Sequence, residues 1–384
     1  MSSQSGQSSQ PSAPGQSSQP SAPGQSSQPS APGQSSAPGQ SSAPGQPSAP
    51  GQSSAPSRPS RPSRSIASAP PVPPAPDADL VRRLLAVQFP QWAHLPVRQL
   101  DSAGTDNAMF RLGDGLVVRL PKADWAQGQV EKEQRWLPRL AGRLPLPVPV
   151  PVGSGVPGEG FTQPWAVYEW LDGDDAFAAP VRDLAHAAVE LGRFGAALRG
   201  VDATGGPASF RGGPVTAWEE GAMVPAVRAL GADGTLDADA VSAAWEEVLR
   251  LPQWEGEPVW VHGDLLPGNL LTRDGRLSAV IDFGGLGVGD PACDMMAAWT
   301  LLTPETRPLF REAARVDDAT WARGRGWALC WGVVTEDHYR ATNPVLAAVA
   351  RRAWSQALPE YGGPASHWPG LARMCDMGIR SGPC

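Results

Sequence analysis

The sequence predicts an α+β fold of two lobes, a small N-terminal antiparallel-sheet lobe and a larger, mostly helical C-terminal lobe, preceded by a disordered tail. Three observations predict it. Residues 1–76 hold no acidic and no aromatic side chain. The remaining stretch of about 300 residues is long for one compact domain and natural for two lobes. Short apolar alternations gather between Val97 and Trp170, whereas helical spacing dominates from Leu184 onward.

The tail repeats QSSQPSAPG three times from Gln7, then shorter QSSAPG-like units, then a Ser-Arg-Pro rhythm at Arg58, Arg61 and Arg64. Such a segment buries too little apolar surface to offset chain entropy and is expected to be flexible to polyproline-like. It lacks the apolar run of a secretory signal. A spacer and a weak partner ligand are its functional readings, beside an incidental repeat expansion.

The body then divides into 77–171, 172–361 and a loose extension, 362–384. Asp77-Ala78-Asp79 opens a helix through Leu80, Leu84, Leu85 and Val87. Residues 97–120 read as strand, Gly-containing loop, strand, the turn Gly113-Asp114-Gly115, and strand. A helix over residues 129–137 follows, with Val130, Leu137 and Leu140 on one face. The prolines of residues 144–152 keep that crossing at a sheet edge or outside the sheet. Trp165 to Leu171 reads as an apolar strand. Helices are predicted over 184–198, 240–251, 293–302, 321–341 and 344–358. Residues 205–234 are Gly-rich and read as loops.

Composition excludes several classes. The chain carries a net charge of −7, and because the tail adds only arginines the body is more acidic still. That disfavours nucleic acid and anionic membrane as partners. No apolar run approaches the about 18 residues of a membrane-spanning helix. The four cysteines, Cys293, Cys330, Cys375 and Cys384, lie in no metal-like spacing, which suits a reducing cytoplasm.

Residues 259–300 carry the chemistry: VWVHGDLLPGNLLTRDGRLSAVIDFGGLGVGDPACDMMAAWT. Asp264, Asn269 and Asp282 stand out against apolar flanks, with His262 close by. An apolar run ends at His262-Gly263-Asp264. The runs 270–272 and 277–281 flank the turn Asp274-Gly275, the strongest short-range hairpin signal. The hairpin folds Asp282 back toward Asn269. Two carboxylates and an amide suit ATP–Mg²⁺ phosphoryl transfer, which needs an orienter for the attacking hydroxyl and hard oxygen ligands for magnesium. His262 reads as a hydrogen-bonding residue of this loop rather than a metal ligand.

HGDLLPGN, then IDFG, then GDPACD, at these spacings, resembles the aminoglycoside phosphotransferase family. The resemblance implies a protein-kinase-like fold, ATP and Mg²⁺, and a small-molecule hydroxyl acceptor. It makes Asp264 the residue that orients the acceptor hydroxyl, with Asn269 and Asp282 as catalytic magnesium ligands. Upstream, Ser102, Gly104, Thr105 and Asn107 fall in the loop that covers the nucleotide phosphates. Arg119 stands where the family usually has a phosphate-contacting lysine, with Lys122 as a rival beyond Pro121, and Glu133 matches its glutamate partner. Glu169 and Leu171 match the backbone contacts to adenine, with Tyr168 behind them. Asp290 is expected to brace the catalytic loop, and Asp294 to cap the first turn of its helix.

The same resemblance argues against a protein acceptor. Gly263 replaces the arginine with which protein kinases dock a phosphorylated activation loop, and only six residues separate Asp282 from Gly289-Asp290. The acceptor stays open among aminoglycosides, macrolides, amino-alcohols and sugars; Glu336 and Asp337 are candidates to bind a polycation. A nucleotide-binding pseudokinase, an interaction protein working through its tail, and a kinase of a non-antibiotic metabolite remain as alternatives. ATP versus GTP, and the oligomeric state, are left open.

Overall fold

The computed structural model describes residues 76–100, 107–122 and 128–362. The tail to residue 75, the loop positions Ser102, Gly104 and Thr105, and the extension from 363 lie outside the described residues.

Helix α1 (Ala78–Gln88) starts where Asp77 caps it, accepting from the Leu80 N–H at 2.7 Å. Strands β1 (Val97–Gln99), β2 (Asn107–Leu112) and β3 (Leu116–Pro121) follow, then α2 (Gln129–Leu140), β4 (Pro151–Gly155) and β5 (Trp165–Glu169). The five strands form one antiparallel sheet in the order β1-β2-β3-β5-β4. β4, which opens on a proline, takes the edge, where a missing N–H costs no ladder bond. β3 ends at Pro121, which still pairs with Asn107, so Lys122 lies beyond the strand. Asn107 accordingly opens β2 rather than belonging to the loop.

Strand alternation sorts the sheet's two faces. Phe110, Val118, Leu120, Trp165 and Val167 pack against Val81, Leu84 and Leu85 of α1. Val117, Ala166 and Tyr168 point the other way, into the main core with Val130, Trp136 and Leu137 of α2. Arg119 follows Val118 on β3, so the same alternation turns it toward α2.

The second half opens with the short β6 (Asp174–Asp175) and α3 (Leu184–Arg199). The Gly-rich stretch is not all loop. A 3₁₀ turn (Val215–Trp218), a π-helical turn (Glu219–Met223) and α4 (Val224–Ala232) occupy it. Pro225 in the first turn and Gly231 near the end mask a helix whose buried face is Ala226, Val227 and Leu230. α5 (Ala238–Leu249) begins two residues before the predicted start, capped by Asp237. β7 (Val259–Val261), the hairpin β8 (Leu270–Arg273) and β9 (Arg276–Val280), and β10 (Gly287–Gly289) come next. Asp274 and Gly275, both at positive φ, make the turn the sequence calls for. Pro291–Met296 forms a 3₁₀ turn leading into α6 (Ala297–Thr300), not one continuous helix. α7 (Arg307–Ala314) was not anticipated. α8 (Asp318–Tyr339) is buried around most of its circumference, with Trp327, Leu329, Cys330 and Val333 in the core. α9 (Pro344–Ala357) packs along it.

Candidate active site

Two short strands carry the site. β7 and β10 pair antiparallel, Val261 opposite Gly287, and the chain leaves β7 directly into His262-Gly263-Asp264. Gly263 sits at φ +77°, and a Cβ there would lie 2.6 Å from the Gly285 carbonyl oxygen. No side chain fits, which gives the missing arginine of the sequence reading a steric reason.

His262 is fully buried against the Phe283 ring. The Asp264 N–H donates to its Nδ1 at 3.2 Å, so Nε2 holds the proton and donates to the Ile281 carbonyl at 3.0 Å. The imidazole therefore ties the residue before Asp282 to the residue at Asp264, the structural role expected of it.

Asp290 and Asp294 exchange the parts assigned from sequence. Asp290 caps the 3₁₀ turn, accepting from the Ala292 N–H at 3.0 Å, and forms a buried pair with Arg323 at 2.7 Å. Asp294 caps nothing in its own helix. Its two oxygens accept from the His262 and Gly263 N–H groups at 2.8 and 2.9 Å, holding the His262-Gly263-Asp264 loop from behind. Burial pushes the Asp294 carboxyl above its ordinary value; the two backbone N–H donors oppose that push.

At the front, the Asn269 Nδ2 donates to both the carbonyl oxygen and the Oδ2 of Asp264, at 2.8 Å each. Its own Oδ1 is left facing away as an acceptor. The Ile281 N–H donates to the Asn269 backbone oxygen at 2.9 Å, which brings Asp282 alongside. Asp282 adopts φ +59°, a left-handed conformation that aspartate tolerates better than most residues, and caps the turn Phe283–Gly285.

Arg119 is 8% exposed and joins the two halves. Its Nη1 pairs with Glu133 at 2.7 Å; its Nη2 reaches Gln129 and Asp282 at 3.2 Å each. Burial works against the charge, but Glu133 and Asp282 more than offset it and hold the guanidinium above its usual range. Tyr168 donates to the Glu133 Oε2 at 2.6 Å. Lys132 donates to the Gly284 carbonyl at 2.5 Å, with burial lowering its ammonium below the ordinary value. Glu169 ends β5 with its N–H given to the Val150 carbonyl, and Leu171 follows outside the strand. Asn107 is buried at the start of β2.

Residues 97–327 match the model of the phosphotransferase enzyme family, APH. The chain belongs to that family. Its fold is that of solved aminoglycoside phosphotransferases. The GDP complex of wild-type aminoglycoside 2'-phosphotransferase-IIIa superposes with a TM-score of 0.57 at 18% identity, over 74% of this chain and 99% of that one. Aminoglycoside phosphotransferase APH(4)-Ia gives 0.52 at 18% identity, over 75% and 100%. No curated protein sequence matches the chain.

Some groups of this phosphotransferase's site were not foreseen. Arg211, from the loop after α3, donates through Nη1 to the Gly263 carbonyl at 2.6 Å and pairs with Asp264 Oδ1. Gln129 and Lys132 were read only as helix residues; their register with Glu133 on α2 was the available signal. Arg211, more than fifty residues before Asp264, gave none. Glu336, a polycation candidate, is fully buried and held by Arg351 and the Trp354 N–H, so it is not available to an acceptor. Asp337 pairs with Arg340 at 3.4 Å.

Proposed function

We propose that this protein is an ATP-dependent small-molecule kinase that moves the γ-phosphate to an acceptor hydroxyl. The observation that carries the reading is the joining of Asp264–Asn269 to Asp282–Arg119–Glu133 through the peptide of Ile281 and the ring of His262. Family membership supports phosphate transfer; nucleotide identity and acceptor are our extension.

The donor set fits magnesium. Asn269 keeps its Oδ1 and Asp282 its Oδ2, two hard oxygens, with the remaining positions left to nucleotide phosphates and water. Among the described residues there is no cluster of three or more His, Cys, Asp or Glu side chains of the kind a dedicated metal cage uses. Bound there, Mg²⁺ would neutralise charge on the phosphates.

The chain's own residues do the positioning. Arg119, oriented by Glu133, contacts the phosphates, and Ser102, Gly104, Thr105 and Asn107 keep the phosphate-binding role that the family resemblance implies. Glu169 and Leu171 offer peptide groups to the adenine edge, and Tyr168 stiffens Glu133. Asp264, fixed by Asn269, hydrogen-bonds the acceptor hydroxyl and takes its proton late, since positioning and electrostatics dominate this reaction. Residues 77–171 form the nucleotide lobe and 172–361 the acceptor lobe in this reading, and the protein works in the cytoplasm. No helix among the described residues is long and apolar enough to cross a membrane.

The test is Mg-ATP binding and turnover by the full chain against hydroxylated small molecules, with Asp264→Ala as control. Acceptor-stimulated turnover lost in the variant is the expected result. Acceptor phosphorylation unaffected by Asp264→Ala would overturn the role. GTP in place of ATP would correct the nucleotide.

A further inference from the structure

The loop over residues 202–214 is built onto the catalytic strands. The Ser209 N–H donates to the Val288 carbonyl at 3.0 Å, Val288 returns a bond to Pro207 at 2.7 Å, and the Asp290 N–H reaches Gly212 at 2.8 Å. A Cβ on Gly289 would lie 2.3 Å from the Gly212 oxygen, so the two backbones meet only because a glycine is there. This docking fixes the two residues between Ser209 and Gly212. Arg211 lies against Asp264, and its buried Nε–H has no partner among the described residues. Phe210, beside it, is 76% exposed, its ring edge-on to Trp218, which packs on the buried Trp327.

A large aromatic ring held in solvent, on the residue before the arginine that pairs with Asp264, is a surface without a covering partner among the described residues. The aspartates of the catalytic loop region named above and the two polycation candidates are each engaged. Asp264 faces Arg211, Asp290 is paired with Arg323, and Asp294 serves backbone N–H groups. Glu336 and Asp337 are held by Arg351 and Arg340.

We propose that Phe210 and Arg211 form the acceptor-facing wall, and that they select a neutral or anionic hydroxyl compound with an apolar face over a polycation. The inference rests on the phosphotransferase reading above. Phe210 packs on the acceptor's apolar face, and Arg211 places a fixed positive charge beside the reacting hydroxyl. A cationic amine there meets like-charge repulsion, while an acceptor carboxylate or phosphate is attracted by the guanidinium's charge.

The experiment is calorimetric titration of the full chain, saturated with Mg²⁺ and a non-hydrolysable ATP analogue. The probes are kanamycin, a polycation, and phenyl β-glucoside, a neutral hydroxyl compound with an aromatic face. Kanamycin should bind Arg211→Glu at least about tenfold more tightly than wild type, with Arg211→Gln between them and the gap shrinking at high salt. Phenyl β-glucoside should bind Phe210→Ala at least about threefold more weakly than wild type, at a site whose exposure makes a folding defect easy to exclude. Kanamycin affinity that is the same in wild type and both Arg211 variants, or absent from all three, overturns the inference while intact nucleotide binding preserves the phosphotransferase reading. Loss of nucleotide binding in wild type sinks both.

Discussion

Asn269 gives one amide nitrogen to two oxygens of Asp264, the backbone carbonyl and the carboxylate Oδ2, both at 2.8 Å. A side chain held at its base and its tip by the same donor has little rotational freedom left. The pairing also fixes which end of the amide faces a metal, because the nitrogen is engaged. Asn269→Asp removes the donor and sets two carboxylates face to face. Turnover should fall about 100-fold or more, the size of effect that misplacing a reacting group produces. Nucleotide binding without magnesium should change little. Steady-state kinetics beside a magnesium-free ADP titration checks this, and turnover within threefold of wild type would sink it.

Arg119 serves three acceptors at once, Glu133, Gln129 and Asp282. Lysine keeps the charge but cannot fork, so Arg119→Lys should hold Glu133 and release Asp282. The expected result is a KM for ATP raised about tenfold, equivalent to about 1.4 kcal/mol, with the fold intact. Arg119→Ala is a different experiment. It leaves Glu133, 1% exposed, as a buried charge that keeps the Tyr168 hydrogen bond but loses its ion pair, which costs about 3–5 kcal/mol. Denaturant unfolding of the two variants should separate them clearly. Equal stability of both would mean that the pair contributes nothing.

Asp294 accepts from two successive backbone N–H groups, those of His262 and Gly263. In Asp294→Asn one of those N–H groups faces an amide NH₂, and the loss should be about 1–3 kcal/mol. Its pH dependence has a definite sign. The folded carboxyl titrates above its ordinary 3.8, so the folded state holds the proton more tightly than the unfolded chain. The stability linked to it is present below 3.8 and lost as pH rises through the folded value. The wild-type advantage over Asp294→Asn should therefore shrink as pH rises from about 4, then level off. A gap that widens over that range contradicts the assignment.

Sequence informs where a local pattern fixes a direction and stops where distant segments meet. The hairpin was legible because Asp274-Gly275 demands positive φ at both positions, a local property. Arg119 and Glu133 were legible only through the family resemblance; strand alternation and a helical turn explain why the two side chains meet. Asp290 and Asp294 were not separable, since two aspartates at a helix start look alike until β7 delivers the His262 and Gly263 N–H groups to one of them. Arg211 was out of reach for the same reason. Its position depends on a loop lying on β10, a contact made by glycine backbones that leave no pattern of side chains. α4 and α7 escaped because both are short and open on proline, which reads as loop when helical spacing spans barely two turns.

Magnesium dependence tests the remaining assignment at Asp282. Its carboxylate has one oxygen engaged by Arg119 and the Gly284 N–H, the other open, and its backbone is bent into the left-handed region to aim it. Asp282→Asn preserves the shape, the cap and the Arg119 contact while removing the negative charge. The magnesium concentration for half-maximal turnover should rise about tenfold or more, because a hard cation loses its only charged protein ligand in this scheme. Thermal stability without nucleotide should move far less, since Arg119 keeps Glu133. The same logic predicts that EDTA stops turnover of the wild-type chain without shifting its melting temperature. A melting temperature lowered by EDTA would point instead to a structural metal, and an unchanged magnesium curve for Asp282→Asn would move the ligand role elsewhere.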